Sequence, residues 1–374
     1  MGVRFVHTAD WQLGMRRHYL SPEAQARFDS ARIEAIRGIG RLAADHGAAF
    51  VIACGDLFES NQVDRRTVSR ALEAMRDVGV PLYLLPGNHD PLEPGSVYTS
   101  PSFVARKPGH AHVVADSTPI EVAPGVELVG APWVSKRPLT DLVAAACADL
   151  HPSDVLRICA GHGIVDRLCA DRDNPAVISA DDAEALIEQR AIHYLALGDR
   201  HSATSIGSTG RIWYAGSPEP TDYDEVNPGC AVVVELDEDG CNVTSHHVGE
   251  WRFVRATFDL RSEADVVDVS AWFEAVVDKD RTVAKVVFTG EVSLRVKARL
   301  DAVIEDVREV FAAVEVIERD ADLVVLPDRL DLENFQLTGF ARTSADQLLE
   351  QARGGHDTAT DALALLYRLS VGAP

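Results

Sequence analysis

No C-x-x-C pair occurs among the six cysteines (Cys54, Cys147, Cys159, Cys169, Cys230 and Cys241), and several of them sit in strand-like apolar runs. Buried free thiols in a reducing cytoplasm fit this usage better than a zinc knuckle or a disulfide frame. No apolar run approaches the roughly 20 residues a membrane helix needs. Met1–Asp10 lacks the charged start and apolar stretch of a signal peptide. Positive charge is scarce as well. With 36 basic against 58 acidic side chains the formal net charge is -22, which excludes a basic nucleic-acid coat.

What is present is ample material for packed cores: 46% of the 374 residues are hydrophobic, enough for two or three domains and too much for a disordered chain. The acidity is unevenly spread. Residues 1–90 carry 11 basic and 11 acidic side chains, residues 91–250 carry 10 and 24, and residues 251–374 carry 15 and 23. The N-terminal stretch is therefore the least repulsive surface for a polyanion.

The first 90 residues alternate between strands and helices. Val3–His7, Ala49–Cys54 and Leu82–Leu85 read as strands. Between them, Ser21-Pro22-Glu23 opens a helix with Phe28, Ala31, Ala35, Ile39 and Leu42 at helical spacing. Asp64 caps a second helix with Val68, Ala71, Leu72 and Met75 on its apolar face. This β-α-β-α-β order implies a largely parallel sheet with function at the carboxyl ends of its strands. Further on, Val126–Ala131, Val155–Ala160, Tyr194–Leu197, Ile212–Ala215 and Ala231–Leu236 read as strands, with helices near 139–150 and 181–190. Residues 251–317 restart as strand, helix, strand, helix, strand. In the tail, Ser344-x-x-Gln347 reads as a capping box, and Thr358 precedes a row of Leu363, Leu366 and Leu369.

Five strand ends place polar groups directly after apolar runs: His7-Thr8-Ala9-Asp10-Trp11-Gln12, Gly55-Asp56-Leu57-Phe58-Glu59, Gly87-Asn88-His89-Asp90, Gly161-His162-Gly163 and Gly198-Asp199-Arg200-His201. The glycines let the chain turn sharply over a sheet edge. Singly, an aspartate at a strand end is a cap and a histidine is a satisfied polar group. Gathered at one edge, Asp10, Asp56, Asn88, His162, Asp199 and His201 make an oxygen- and imidazole-rich cage suited to two divalent metals.

The order D-x-(H), G-D-x-x-(D/E), G-N-H-D, H-G and G-(H)-x-H resembles that of the calcineurin-like metallophosphoesterases. The wording of His7–Gly14, Ala53–Glu59, Leu195–Gly198 and Tyr214–Glu219 is similar to the SbcD branch, the nuclease component of the SbcCD double-strand-break repair complex. The resemblance covers roughly residues 3–320. It implies a four-layer αββα metallophosphoesterase fold over 1–250 and a small α/β capping domain that clamps DNA over 251–326; the helical tail over 327–374 lies beyond it and either docks a partner or packs on the cap. For the site it implies one metal at Asp10, Asp56, His201 and Gln12, and a second at Asp56, Asn88, His162 and Asp199, with Asp56 as the bridge. His89 is then the general acid or transition-state stabiliser, and Glu59 and Asp90 orient histidine or water.

Gln12 and Asp199 stand where the family usually has histidine. Residues i and i+2 at a strand end face one side, so Gln12 can offer its amide oxygen beside Asp10. Both exchanges replace imidazole by oxygen and favour Mn²⁺ or Mg²⁺. Arg16, Arg17, His18, Arg65 and Arg66 follow the first two motifs and are expected to hold a nucleic-acid backbone. The resemblance implies a Mn²⁺-dependent DNA exonuclease in the cytoplasm, a homodimer, with DNA and an SbcC-like coiled-coil ATPase as partners. The alternatives are a phosphodiesterase or phosphatase on a small nucleotide, and a catalytically weakened scaffold that binds the ATPase.

Overall fold

Val3–Thr8 (β1) lies at the centre of a sheet because every residue but one along it is buried. It pairs in parallel with Val51–Cys54 (β2), and β2 with Leu82–Leu85 (β3). The crossovers are the helices Pro22–Asp45 (α1) and Arg65–Arg76 (α2), the latter started by Asp64, whose carboxylate accepts from the Arg66 and Thr67 backbone N–H groups. After helix Pro101–Arg106 (α3), Ala111–Val113 (β4) closes one edge. The computed structural model describes residues 2–171, 174–317, 323–325, 338–354 and 356–371.

A second sheet follows from Ile120–Ala123 (β5), Val126–Gly130 (β6), Leu156–His162 (β7), Tyr194–Gly198 (β8), Thr204–Ile206 (β9) and Ile212–Tyr214 (β10), in the order β5-β6-β7-β8-β10-β9. Its helices are Leu142–Cys147 (α4) and Ala180–Glu188 (α5). The chain then returns to the first sheet, where Cys230–Leu236 (β11) runs antiparallel to β1 and Cys241–His247 (β12) forms the far edge.

Three layers of core explain why these strands read as continuous apolar runs. Phe5, Phe50 and Ile52 of the first sheet meet Leu128, Ile158 and Tyr194 of the second. The alternate residues face outward. Val6, Val51 and Leu84 pack under Ile36, Ile39, Leu72 and Met75 of α1 and α2. Cys159, Leu195 and Leu197 pack under Val143, Ala183 and Ile187 of α4 and α5. Each such side chain contributes about 1.5–3 kcal/mol by leaving water. The order helices, sheet, sheet, helices is the four-layer αββα arrangement, and its two sheets end at the same loops.

The chain divides into two compact units, Met1–Arg17 with Gln25–Trp251, and His18–Ala24 with Arg252–Pro374. In the second unit, Arg252–Leu260 (β13), Thr282–Val292 (β14), Ala313–Val316 (β15) and Leu323–Val325 (β16) form a parallel sheet. Glu263–Ala275 (α6) and Leu294–Arg308 (α7) supply Val266, Phe273, Leu300 and Ile304 to its core.

Two tail helices follow, Gly339–Arg353 (α8) and Asp357–Val371 (α9). The boundary expected at residue 327 lies outside the described residues. Ser344 does not cap a helix: α8 begins five residues earlier, with Thr338 as its N-cap, so Ser344 and Gln347 are interior positions. The leucine rows are largely covered within the unit, with Leu348, Leu349, Leu363 and Leu366 clustered with Leu294 and Ala298 of α7. Leu369 is 73% exposed. Among the described residues, no helix is long and apolar enough to cross a membrane.

Candidate metal centre

The polar strand ends converge through hydrogen bonds beyond the strands themselves. After β1 and β2 stop, the Asp10 N–H donates to the Gly55 carbonyl and the Gln12 N–H to the Asp56 carbonyl, each at 3.0 Å, so the two loops run side by side. The Asp199 N–H, after β8, donates to both Asp10 carboxylate oxygens at 3.2 and 3.0 Å. The His89 N–H, after β3, donates to Asp56 Oδ1 at 2.9 Å.

This convergence is bought with strained backbone. Asp10, Gln12, Asp56 and Asp199 have φ of 53°, 49°, 53° and 96°, a region that costs a residue with a side chain about 1–3 kcal/mol. Asp10 and Gln12 are thus placed by left-handed turns, not by the strand alternation that their spacing suggests. Glycines allow the close approach elsewhere: a Cβ on Gly198 would meet the Cys54 carbonyl oxygen at 1.8 Å, and one on Gly55 would meet His162 Nδ1 at 2.2 Å.

Asp10, Asp56 and His162 bring one ligand atom each within 4.8 Å of one another, all buried. His162 Nε2 lies 3.4 Å from Asp56 Oδ1 and 3.8 Å from Asp199 Oδ1. The Asn88 side-chain amide lies 2.7 Å from His162 Nε2. His201 Nε2 lies 3.9 Å from Asp10 Oδ1 on the other side. His89 Nε2 stands 3.8 Å from Asp56 Oδ2 with its side chain 40% exposed. Asp56 thus has His162 beside one carboxylate oxygen and His89 beside the other.

Two histidines have their tautomers fixed by backbone carbonyls, which accept and never donate. His162 Nδ1–H donates to the Cys54 carbonyl at 2.8 Å, and His89 Nδ1–H donates to the Glu59 carbonyl at 2.9 Å. Each turns Nε2 toward the cage. Trp133 supports His162 by donating its indole N–H to the His162 carbonyl at 2.7 Å.

The electrostatics favour cations. Burial above all, reinforced by Asp56 and Asp199, pushes the Asp10 carboxyl up to about 7 against the pull of His201 and His162. Burial also raises Asp199. For His162, burial works downward, but Asp56, Asp10 and Asp199 outweigh it and hold the imidazole well above its ordinary value. For Asp56, burial works upward, but His162 and His89 outweigh it and bring the carboxyl below its ordinary range. The Asn88 amide faces Asp56 and His162: with its nitrogen toward them it donates to both Asp56 oxygens at 3.3 and 3.2 Å and to His162 Nε2 at 2.7 Å. The donor set fits divalent metals.

The remaining expected residues fall into other places. Gln12 directs its Nε2 at Asp56 Oδ2, 3.3 Å away, and its Oε1 is buried without a hydrogen-bond partner. Its nitrogen, not its oxygen, faces the cage. Asp90 does not orient His89: its carboxylate accepts from the Gly87 and Phe58 N–H groups and the Tyr98 hydroxyl, and so braces the loop after β3. Glu59 holds His89 by its backbone carbonyl, while its Oε2 is buried without a partner. Arg17 is half-buried and donates to the Thr221 carbonyl. Arg16 and Arg66 line a 320 Å³ cleft with Arg70, Asp29 and Asp64, and none of the cage residues lines it. Arg65 and His18 are exposed.

Spacing gave no sign of the loop 217–225, which supports the cage from behind. The Ser217 hydroxyl donates to the Asp10 carbonyl at 2.7 Å. The fully buried Arg32 donates to the carbonyls of Trp11 at 3.1 Å and Pro220 at 2.9 Å. In the sequence this loop is marked by Tyr214–Glu219, part of the family resemblance, and by Ser217-Pro218-Glu219-Pro220, whose two prolines stiffen a turn.

Residues 3–126 match the family model of the calcineurin-like phosphoesterases. Two curated relatives are similar over different lengths. The DNA double-strand break repair protein Mre11 of Methanococcus maripaludis is 36% identical over 91 residues, 24% of this chain and 23% of that protein. The SbcD component of the nuclease SbcCD of Escherichia coli K12 is 26% identical over 259 residues, 60% of this chain and 62% of that protein. The matches thus span under two thirds of either relative.

Proposed function

We propose that the chain is a Mn²⁺-dependent DNA nuclease that hydrolyses phosphodiesters in double-strand-break repair, as an exonuclease working in the cytoplasm with an SbcC-like coiled-coil ATPase, and as a homodimer. The observation that carries it is the buried cluster of Asp10, Asp56 and His162, with the half-exposed His89 beside Asp56. The relatives, one named for DNA double-strand break repair and the other a nuclease subunit, support the substrate. Six free cysteines, four of them buried, support a reducing compartment.

Asp10, His201 and Gln12 would hold one ion, and Asn88, His162 and Asp199 the other, with Asp56 common to both. Such ions supply charge neutralisation on the phosphate oxygens and lower the pKa of an attacking water. His89 does the rest of the work. Its Nδ1–H is committed to the Glu59 carbonyl, so Nε2 is the nitrogen that faces the leaving oxygen, and as Nε2–H of the imidazolium form it would give that oxygen its proton. Arg16 and Arg66, with Arg65 and His18, hold the backbone of the nucleic acid, and Arg17 ties the loop 217–225 in place. The unit from residue 252 clamps the duplex, and the exposed Leu365 and Leu369 of α9 meet the ATPase. Gln12, with its nitrogen toward Asp56, favours a second reading in which the first ion is weakly held and the protein serves mainly as a scaffold.

Turnover of linear duplex, single-stranded DNA and bis-p-nitrophenyl phosphate with Mn²⁺ separates these readings. Chelator-sensitive cleavage of duplex supports the nuclease. Cleavage of the small phosphodiester alone supports a nucleotide enzyme, and no turnover with retained metal binding supports the scaffold.

A further inference from the structure

His162 and His89 are fixed by main-chain carbonyls, which no substitution removes. His201 is different, because its Nδ1 meets a side chain, the hydroxyl of Thr221. That hydroxyl is also hydrogen-bonded to Glu225 Oε1. Glu225 Oε1 accepts in addition from the Thr221 N–H at 2.9 Å and the Asp222 N–H at 3.0 Å, so its position is set by the backbone of the same turn.

The direction of each hydrogen bond follows from proton counting. An ionised carboxylate only accepts. Thr221 has one hydroxyl proton, and it goes to Glu225. Toward His201 the Thr221 oxygen then has only lone pairs, so the proton in that contact must sit on His201 Nδ1. In the neutral ring, the form that binds a metal, Nε2 is then bare, and it is the nitrogen that lies 3.9 Å from Asp10. Glu225 is itself 6% exposed, its Oε2 is buried without a partner, and its Oε1 is 3.4 Å from His201 Nδ1. A buried negative charge behind an imidazole makes the opposite nitrogen a better ligand.

We propose that Thr221 and Glu225 are positioning residues: the relay from His201 Nδ1–H through the Thr221 hydroxyl to the Glu225 carboxylate fixes the tautomer of His201 and presents its Nε2 to a metal ion beside Asp10. This rests on the reading of the cage as a metal centre. It makes the half of the cage that holds Gln12 the one whose affinity depends on side chains outside it.

The test uses the full chain, labelled with ¹⁵N-histidine, in two measurements. Two-bond ¹H–¹⁵N correlation in chelator reports which nitrogen of His201 carries the proton, and calorimetric titration with Mn²⁺ reports each binding event. The wild type is expected to show Nδ1–H. Thr221→Val should mix the tautomers and weaken one Mn²⁺ binding event about 10–100-fold, with the other unchanged. Thr221→Ser should restore both signals. Should Thr221→Val fail to fold by circular dichroism, Glu225→Gln serves in its place and should weaken the same event about tenfold. A wild-type His201 protonated on Nε2, or a folded Thr221→Val that keeps both the tautomer and both affinities, would overturn the relay. A wild type that binds no Mn²⁺ but whose tautomer responds to Thr221→Val would overturn the metal centre and support the relay.

Discussion

His89 reaches Asp56 twice: its backbone N–H donates to one carboxylate oxygen at 2.9 Å, and its Nε2 stands 3.8 Å from the other. One residue thus orients the Asp56 carboxylate through its main chain and stands beside it with its imidazole. The two roles separate on mutation, because the first belongs to the main chain and survives loss of the imidazole.

His89→Ala should therefore lower kcat on a phosphodiester by about 10²–10⁴-fold while Mn²⁺ affinity stays within a few-fold. Asp56→Ala should abolish both. Kinetics paired with metal titration of the two variants checks this, and full activity of Asp56→Ala in excess Mn²⁺ would sink the mechanism.

Gln12→His should lower the Mn²⁺ concentration for half-maximal activity, about tenfold if an imidazole replaces a neutral amide as ligand. In the structure the Gln12 nitrogen faces Asp56, so an unchanged titration would mean that Gln12 serves only as a donor to that carboxylate.

His7 is buried between the sheets, with Nδ1 3.2 Å from the Tyr194 hydroxyl and Nε2 3.2 Å from the Leu197 carbonyl. Burial lowers its pKa from 6.5 to about 3. The unfolded chain binds this proton more readily, so the contribution to stability is complete above the unfolded pKa and is lost as pH falls toward the folded one. Between pH 7 and 4.5 the loss is about 2–3 kcal/mol. Urea unfolding at both pH values should show this difference shrinking in His7→Gln. An equal difference in both proteins would mean that His7 is not the group.

Arg32→Ala should destabilise the protein by about 3 kcal/mol, because it strands the buried carbonyls of Trp11 and Pro220. Thermal unfolding reads this directly. Since Arg32 ties together the loops that carry Gln12 and Thr221, weaker Mn²⁺ binding should accompany it.

Leu365→Asp with Leu369→Asp should reduce capture of the ATPase by at least tenfold without changing the melting temperature or small-phosphodiester turnover. These side chains are 50% and 73% exposed, so they carry little of the fold. Retained capture would remove α9 as the dock.

Much of the fold was legible because strands buried on both faces leave continuous apolar runs, as Val3–Thr8 and Val51–Cys54 do. The cage was legible because glycine precedes Asp56, Asn88, His162 and Asp199 or lies within a residue of them. What was hidden depends on geometry that composition does not encode. The left-handed turns at Asp10 and Gln12 lack the glycine that normally announces one, and the pairing of their loop with that of Asp56 supplies the compensation. The roles of Thr221 and Glu225 arise from a turn that meets His201 only in three dimensions. Ser344 shows the opposite error: a capping pattern is local, but five further residues continue the helix toward Thr338.

The most direct test is an anomalous-scattering map from crystals soaked in Mn²⁺. Two peaks are expected about 3.5–4 Å apart on either side of Asp56, one toward Asp10 and His201 and the other toward Asn88 and His162. A single peak, or peaks that Asp56 does not touch, would contradict a shared-carboxylate, two-ion centre.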